Sequence, residues 1–106
     1  MKKGDIVSCR FPFTDLTGSK RRPAMILYEG RYDVMVAFIS SQLTSRQSED
    51  IEIVPDSINR LKHVSLIKPT KIATIQKSLI AGRIGEVGSR KISEFNQSLI
   101  QILQLR

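Results

Sequence analysis

Val34-Met35-Val36-Ala37-Phe38-Ile39 is the stretch of this sequence that decides the fold. An uninterrupted apolar run of this length predicts a strand that is covered on both of its faces. Turn-forming residues at positions 29–33 precede the run, and a polar stretch without periodicity follows it over residues 40–50. The run is therefore predicted to be a central strand between a tight turn and an exposed loop.

Two further strands are predicted on the amino-terminal side of this run. Residues 6–11 alternate in polarity, which is typical of a strand, and the alternation makes Cys9 a small core residue rather than a reactive thiol. Pro23 opens the second strand, over residues 24–28, at a position where a missing N–H does least harm. Residues 12–22 between the two strands are predicted to form a polar loop.

Four short strands are predicted on the carboxy-terminal side of the apolar run. Pro69-Thr70 separates two of them, and Gly82 and Gly85 bend the last one. The four strands cover residues 51–54, 64–68, 72–75 and 79–87, and one helical turn covers residues 57–61.

A helix is predicted to begin at Gly88-Ser89 and to pack on the strands. Its apolar residues recur at helical spacing and form one stripe, and polar residues fill the opposite side. Several short strands followed by one helix predict a single domain over residues 1–106, mainly β, built as a small barrel or coiled sheet with a terminal helix. The apolar stripe consists of Ile92, Phe95, Leu99, Ile102 and Leu103.

The charge of the chain favours a polyanionic partner. The 106 residues include 17 Lys or Arg and 10 Asp or Glu, which gives a net charge of +7. No acidic residue occurs between Ser57 and Gly85, although that stretch contains six basic ones. A basic, unevenly charged domain is typical of nucleic-acid binding, and the alternative is a solvated basic face without a partner.

Several function classes are excluded by what the sequence lacks. No apolar run approaches the ~20 residues of a membrane span, and no secretory signal is visible, so a cytoplasmic location without membrane contact is expected. A single cysteine forms no disulfide framework, and no Gly-rich phosphate loop or metal-ligand cluster occurs, so neither a cofactor nor a metal is expected. His63 is the only histidine, which excludes a two-histidine ribonuclease mechanism within one chain.

Blocks of sequence along nearly the whole chain resemble the MazF/PemK toxins, the ribonuclease components of bacterial and archaeal toxin–antitoxin pairs. The opening Gly4-Asp5-Ile6-Val7, followed at this distance by Arg22-Pro23, is the most specific of these blocks. Weaker similarity continues in Phe38-Ile39-Ser40 and in Ile67-Lys68-Pro69-Thr70.

This resemblance implies an SH3-like barrel with a carboxy-terminal helix that works as a homodimer. It also implies sequence-selective cleavage of single-stranded RNA without a metal, in which the 2′-hydroxyl attacks the adjacent phosphate and leaves a 2′,3′-cyclic phosphate and a 5′-hydroxyl. The implied partner is a cognate antitoxin protein. Members of the family bind DNA together with their antitoxin.

The same resemblance implies the site residues. Arg22 and Ser40 match the catalytic positions of the family. The planar guanidinium of an arginine suits a clamp on two phosphate oxygens, and a serine hydroxyl can donate a hydrogen bond to the phosphate. The residues expected to bind RNA around them are Lys20, Arg21, Gln42, Lys68 and Thr70.

Two departures from the family and several alternatives bear on this hypothesis. Lys68-Pro69-Thr70 lacks a carboxylate that some members use in proton transfer, and residues 17–21 lack their Gly-rich loop. Without the resemblance, Arg22 is a loop residue facing water and Ser40 is a strand-end cap. The alternative functions are a non-enzymatic toxin resembling gyrase poisons and a barrel that only binds nucleic acid.

Overall fold

The computed structural model describes residues 1–10 and 21–106 and contains six strands and one α-helix. Single 3₁₀ turns at Leu43–Ser45 and Lys77–Leu79 lie in two of the connections. The elements are β1 Asp5–Arg10, β2 Arg21–Glu29, β3 Asp33–Ser40, β4 Ile51–Ile53, β5 Ser65–Gln76, β6 Ile80–Glu86 and α1 Ser89–Leu103.

The six strands form one antiparallel sheet in the order β4-β5-β3-β2-β1-β6. The apolar run of the sequence analysis is β3, which lies inside the sheet as predicted. Within the part of the chain that the structure describes, no ladder joins the two edge strands β4 and β6. The mainly β architecture with a carboxy-terminal helix is confirmed, whereas the closed SH3-like barrel is not.

Strand β5 corrects the prediction of two separate strands. It runs through Pro69-Thr70 without interruption, because a bulge absorbs the proline. Ala37 of β3 pairs with Ile72, but the next residue, Phe38, pairs with Lys68, so three residues of β5 are left over at this step. A residue without an N–H is tolerated in a strand where the ladder is interrupted in this way.

Strand β2 begins earlier than predicted. Arg21 and Arg22 were expected in the loop of residues 12–22, but both belong to β2 and pair with Arg10 and Cys9 of β1. Pro23 has no N–H to donate, which agrees with the β2–β3 ladder beginning one residue later, at Ala24.

Apolar side chains are buried on both faces of the sheet, which explains why β3 is almost uniformly apolar. One cluster lies between the sheet and α1, and the fully buried Phe95 of the helix belongs to it. The other cluster lies on the opposite face and includes Cys9 and Val36. Neighbouring residues along a strand alternate between the two clusters, as the pleat requires. Met35, which is 37% exposed, is the exception within the run.

Helix α1 packs on the sheet through only part of its apolar stripe. Ile92 and Leu99 are half-buried and lie against the same cluster as Phe95. Leu103 at the end of the helix is 55% exposed, and Gln104 ends the helix with a left-handed backbone at φ 55°. Over the described ranges of the chain, no helix is both long and apolar enough to cross a membrane.

Candidate active site

A cleft of about 540 Å³ opens where β2 begins and β3 ends. One side is formed by the ends of these strands, and the other by the segment that leads into β5. The cleft is lined by Ser8, Arg21, Arg22, Pro23, Ile39, Ser40, Ser41, Gln42, Arg60, Leu61, Lys62, His63, Ser65 and Ile84.

The register of β2 and β3 brings Arg22 and Ser40 to the same place. Ala24 of β2 pairs with Phe38 of β3, and the strands are antiparallel. Two residues further towards this end of the sheet are Arg22 on one strand and Ser40 on the other, and both line the cleft. The β2–β3 ladder itself begins at Ala24 and Phe38, so what places Arg22 and Ser40 at one site is the cleft that both of them line.

The guanidinium of Arg22 is exposed and available to a ligand. Of the ion pairs and side-chain hydrogen bonds formed by residues 1–10 and 21–106, none involves this side chain. A guanidinium carries five N–H donors and no acceptor, so it is suited to bind two oxygens of one phosphate. The loop position considered in the sequence analysis is wrong, because the backbone of Arg22 lies in a strand.

Ser40 caps the end of β3, which is the alternative to a catalytic role given above, and it also lines the cleft. Its Oγ accepts a hydrogen bond of 3.1 Å from the backbone N–H of Gln42. A hydroxyl group has one proton to donate in addition to its acceptor lone pairs. Its proton has no partner among the residues that the structure describes, so the hydroxyl can still donate to a bound ligand.

Two of the five predicted RNA-binding residues lie in the same cleft. Arg21 precedes Arg22 in β2, and Gln42 is held next to Ser40 by the hydrogen bond from its backbone. Lys20 lies outside the described residues, as do Phe11 and Phe13, which the sequence offers as aromatic side chains that could stack on bases near the first loop. Tyr28, a third stacking candidate, is 63% exposed but lies at the far end of β2 from the cleft.

Lys68 and Thr70 do not line the cleft. The ammonium of Lys68 is buried and lies 2.7 Å from Oδ2 of Asp50, and it also donates to the carbonyl oxygen of Ser45 at 3.1 Å. Thr70 donates to Oε1 of Gln47 at 3.1 Å. Both side chains thus hold the connection of residues 41–50 against β5.

Sequence reasoning missed the side chains on the other side of the cleft. Arg60, Lys62 and His63 are exposed and line it. The only signal for them in the sequence is the basic stretch from Ser57 to Gly85, which contains no acidic residue. That stretch does not indicate which of its cations lie at the cleft.

The electrostatics of the cleft suit a polyanion. The charged side chains that line it within the described ranges are Arg21, Arg22, Arg60 and Lys62, and all of them are cationic. Among residues 1–10 and 21–106, no group of three or more His, Cys, Asp or Glu side chains is placed to hold a metal ion.

Cys9 is a core residue that does not line the cleft. Its side chain is fully buried, and burial raises the pKa of its thiol to about 11. A thiol protonated at neutral pH is a poor nucleophile, which agrees with the interpretation of Cys9 as a packing residue.

The chain matches the family model of the PemK-like, MazF-like toxins of type II toxin–antitoxin systems over residues 2–103. Among curated relatives, the endoribonucleases MazF6 of Mycobacterium tuberculosis and MazF2 of Mycobacterium bovis are each 27% identical to it over 93 residues, covering 82% of both chains.

Solved structures of such toxins share the fold. The Mycobacterium tuberculosis toxin MazF-mt6 superposes with a TM-score of 0.78 at 18% identity, covering 96% of this chain and 98% of that one. A mycobacterial endoribonuclease in complex with its cognate antitoxin gives a TM-score of 0.75 at 17% identity, covering 100% of this chain and 95% of that one. MazF of Deinococcus radiodurans gives 0.77 at 16% identity, with 98% and 96% covered.

Proposed function

Because the chain belongs to the PemK-like, MazF-like toxins of type II toxin–antitoxin systems, we propose that it is an endoribonuclease that cuts single-stranded RNA in the cleft around Arg22 and Ser40. The single observation that carries this assignment is that a guanidinium and a hydroxyl donor, neither with a partner among residues 1–10 and 21–106, meet at one end of the sheet. The cationic surroundings of the pair support a phosphodiester as the ligand.

The proposed reaction is an intramolecular displacement at phosphorus. The 2′-oxygen of a ribose loses its proton to solvent and forms a bond to the adjacent phosphorus, while the bond from phosphorus to the 5′-oxygen breaks and that oxygen takes up a proton. The products are a 2′,3′-cyclic phosphate and a 5′-hydroxyl. Negative charge builds on the non-bridging oxygens in the transition state, so donors aimed at those oxygens accelerate the step.

Arg22 is proposed to bind these oxygens. A guanidinium remains protonated at any working pH, and its parallel N–H groups match two phosphate oxygens at once. Its contribution grows as charge builds on phosphorus, which is why we assign it electrostatic stabilisation rather than removal of the 2′-proton.

Ser40 is proposed to donate its remaining proton to the same phosphate. The N–H of Gln42 occupies one lone pair of the hydroxyl oxygen, and this contact holds the side chain at the end of β3. A donor fixed in this way loses little conformational freedom when the phosphate arrives.

Arg21, Lys20 and Gln42 are proposed to bind the RNA on either side of the cut, and the amide of Gln42 is suited to read a base edge. Lys68 and Thr70 were predicted for the same role, but their contacts support a different one. They hold the connection that carries Gln42, so their effect on RNA is expected to be indirect.

The reaction is proposed to need no metal. Arg22 supplies the positive charge that a metal ion provides to the transition state in other nucleases. The natural substrate is proposed to be messenger RNA, which places the protein in the cytoplasm.

The proposed partners are a second copy of the chain and an antitoxin. A related mycobacterial endoribonuclease has been solved with its cognate antitoxin. An acidic antitoxin segment that fills the cationic cleft here blocks RNA by both charge and volume. A homodimer would extend the groove that holds a single RNA strand beyond one cleft. Light scattering is therefore expected to give a particle mass of twice the 12.0 kDa of one chain.

The test is cleavage of an end-labelled single-stranded RNA by the purified protein in EDTA. We expect products with a 2′,3′-cyclic phosphate from the wild type and almost none from Arg22→Ala. Cleavage that requires added magnesium contradicts the proposed mechanism. Binding of RNA without any cleavage supports the non-catalytic alternative, and inhibition of gyrase supercoiling without RNA cleavage supports the gyrase-poison alternative.

A further inference from the structure

We infer that residues 56–63 form a second phosphate-binding subsite of the cleft, in which Arg60 and Lys62 bind an RNA phosphate next to the one held by Arg22. This inference rests on the proposed function and adds residues that neither the motifs nor the family resemblance assigned. It follows from the way this segment is fixed to the sheet and from the charge that it places opposite β2.

The segment is fixed internally by two side chains that cap each other's backbone. Oδ1 of Asp56 accepts hydrogen bonds from the N–H groups of Ile58 and Asn59, at 2.8 and 2.7 Å. In return, Oδ1 of Asn59 accepts from the N–H groups of Asp56 and Leu61, at 3.1 and 3.0 Å. Reciprocal capping of this kind satisfies four backbone donors within one short turn.

Asn59 also ties the turn to the protein interior. The residue is only 3% exposed, and its amide nitrogen donates to the carbonyl oxygen of Val54 at 2.8 Å. A buried polar side chain with all of these contacts fixes its surroundings, because any displacement leaves polar groups without partners.

The turn lies in direct backbone contact with β6 at Gly85. The backbone N–H of Glu86 donates to the carbonyl oxygen of Ile58 at 3.1 Å. A Cβ atom at Gly85 would lie 2.6 Å from the same oxygen and also against the carbonyl of Asn59, so no side chain fits at this position. The close approach of two backbones is the reason for a glycine here.

Arg60 leaves this anchored turn with a left-handed backbone, at φ 58°, and its N–H donates to the carbonyl oxygen of Asp56 at 3.0 Å. An arginine at φ 58° is uncommon, since this conformation suits glycine or asparagine better. The conformation persists because the turn on its amino-terminal side is held at so many points. It delivers Arg60, Lys62 and His63 to the cleft.

The two cationic side chains of this segment form no ion pair within residues 1–10 and 21–106. Arg60 and Lys62 are exposed, and no described residue forms an ion pair or a side-chain hydrogen bond with either of them. Arg21 and Arg22 face the same cleft from β2. Like charges brought together at one cleft are unfavourable in the free protein and become favourable when a phosphate chain lies between them.

The experiment measures binding of a substrate that cannot be cut. An RNA with a 2′-deoxyribose at the cleavage position lacks the attacking oxygen, so affinity can be measured with the intact wild-type site. For Arg60→Ala/Lys62→Ala we expect roughly tenfold weaker binding and a log–log salt slope that is less steep by about 0.7 for each phosphate that the protein no longer neutralises. The matched control is Lys71→Ala/Arg90→Ala, two exposed cations outside the cleft, for which the affinity and slope stay close to wild type.

The outcomes separate this inference from the proposed function. A wild type that leaves single-stranded RNA uncut overturns the proposed function. A wild type that cuts RNA, together with an unchanged affinity and salt slope in Arg60→Ala/Lys62→Ala, overturns the second subsite alone.

A second measurement tests whether the contact at Gly85 positions the subsite. Gly85→Ala, checked for native circular dichroism, is expected to weaken binding about as much as Arg60→Ala, because the added methyl displaces the turn. Arg60→Ala made in the Gly85→Ala background then adds little, since both changes act on one subsite. Additive effects of the two changes show that the close approach at Gly85 does not position Arg60.

Discussion

Cys9 and Arg22 are direct partners across the β1–β2 ladder. The thiol of Cys9 is fully buried in the cluster on one face of the sheet, whereas the guanidinium of Arg22 is exposed at the cleft. Since a slip of one residue in this ladder would turn Cys9 from its own cluster to the opposite face of the sheet, the packing of Cys9 also fixes the place of Arg22. The position of the proposed phosphate clamp is therefore tied to the register of the β1–β2 ladder.

Arg22→Ala is expected to lower the rate of RNA cleavage by roughly 10²–10³, the usual effect of losing one donor to a developing oxyanion. RNA affinity falls much less, because the other cations of the cleft remain. Single-turnover cleavage at saturating protein measures the rate separately from binding. Arg22→Lys is the control for charge alone. It keeps the positive charge but lacks the two parallel N–H groups of the guanidinium, so it is expected to recover little of the lost cleavage rate. An Arg22→Ala protein as fast as wild type contradicts the mechanism.

Ser40→Ala is expected to slow cleavage roughly tenfold, about the effect of one hydrogen bond to a charged group. Ser40→Thr stays close to wild type, because it keeps both the proton and the oxygen that caps Gln42. Single-turnover rates of the two variants, together with their denaturation midpoints, distinguish the donor from the cap. A loss of stability without a loss of rate in Ser40→Ala shows that the cap is its only role.

Lys68→Ala is expected to destabilise the fold by about 3–5 kcal/mol, because it leaves the carboxylate of Asp50 buried without its cation. The side chains of Lys68 and Asp50 are only 3% and 1% exposed, so the carboxylate that remains is poorly solvated. Urea denaturation measures the change, and Lys71→Ala, an exposed lysine of the same strand, is the control with an effect within about 0.5 kcal/mol.

Lys68→Met/Asp50→Asn is expected to regain most of that stability, because it removes both charges and keeps an oxygen for the N–H of Gln47. It also tests the sequence-based assignment of Lys68 to RNA binding. A folded double variant with wild-type RNA affinity shows that the lysine acts on the protein alone. A weakened affinity with a less steep salt slope, which marks a lost phosphate contact, restores the original assignment.

The thiol of Cys9 is expected to make the fold less stable in alkali. Burial raises its pKa from 9.0 to about 11, so the folded state holds this proton more tightly than the unfolded state does. The resulting stabilisation is complete below about pH 9 and is lost as the pH rises towards 11. The denaturation midpoint of the wild type should fall more steeply between these values than that of Cys9→Ala. At pH 8, a thiol reagent should modify the wild type only on unfolding.

The local patterns of the sequence determined most of the elements. Apolar runs and alternation depend on neighbours one or two positions away, so β1, β3, β4 and the helix were found near their observed positions. The same patterns placed Cys9 in the core. The match of Arg22 and Ser40 to the catalytic positions came from resemblance, and their roles stay predictions that the experiments above test.

Only the tertiary structure decided which polar residues face the cleft. Lys68 resembles any exposed lysine in the sequence, and it is buried because Asp50, on a separate connection, meets it across the sheet. Strand β5 is continuous because pairing with β3 resumes beyond the bulge at Pro69, which no local pattern records. Arg60 reaches the cleft because its turn lies against β6, where the N–H of Glu86 donates to the carbonyl oxygen of Ile58 and Gly85 allows the close approach. Each of these outcomes depends on long-range pairing, and the free energy of such contacts is set by the residues that the fold brings together, not by those adjacent along the chain.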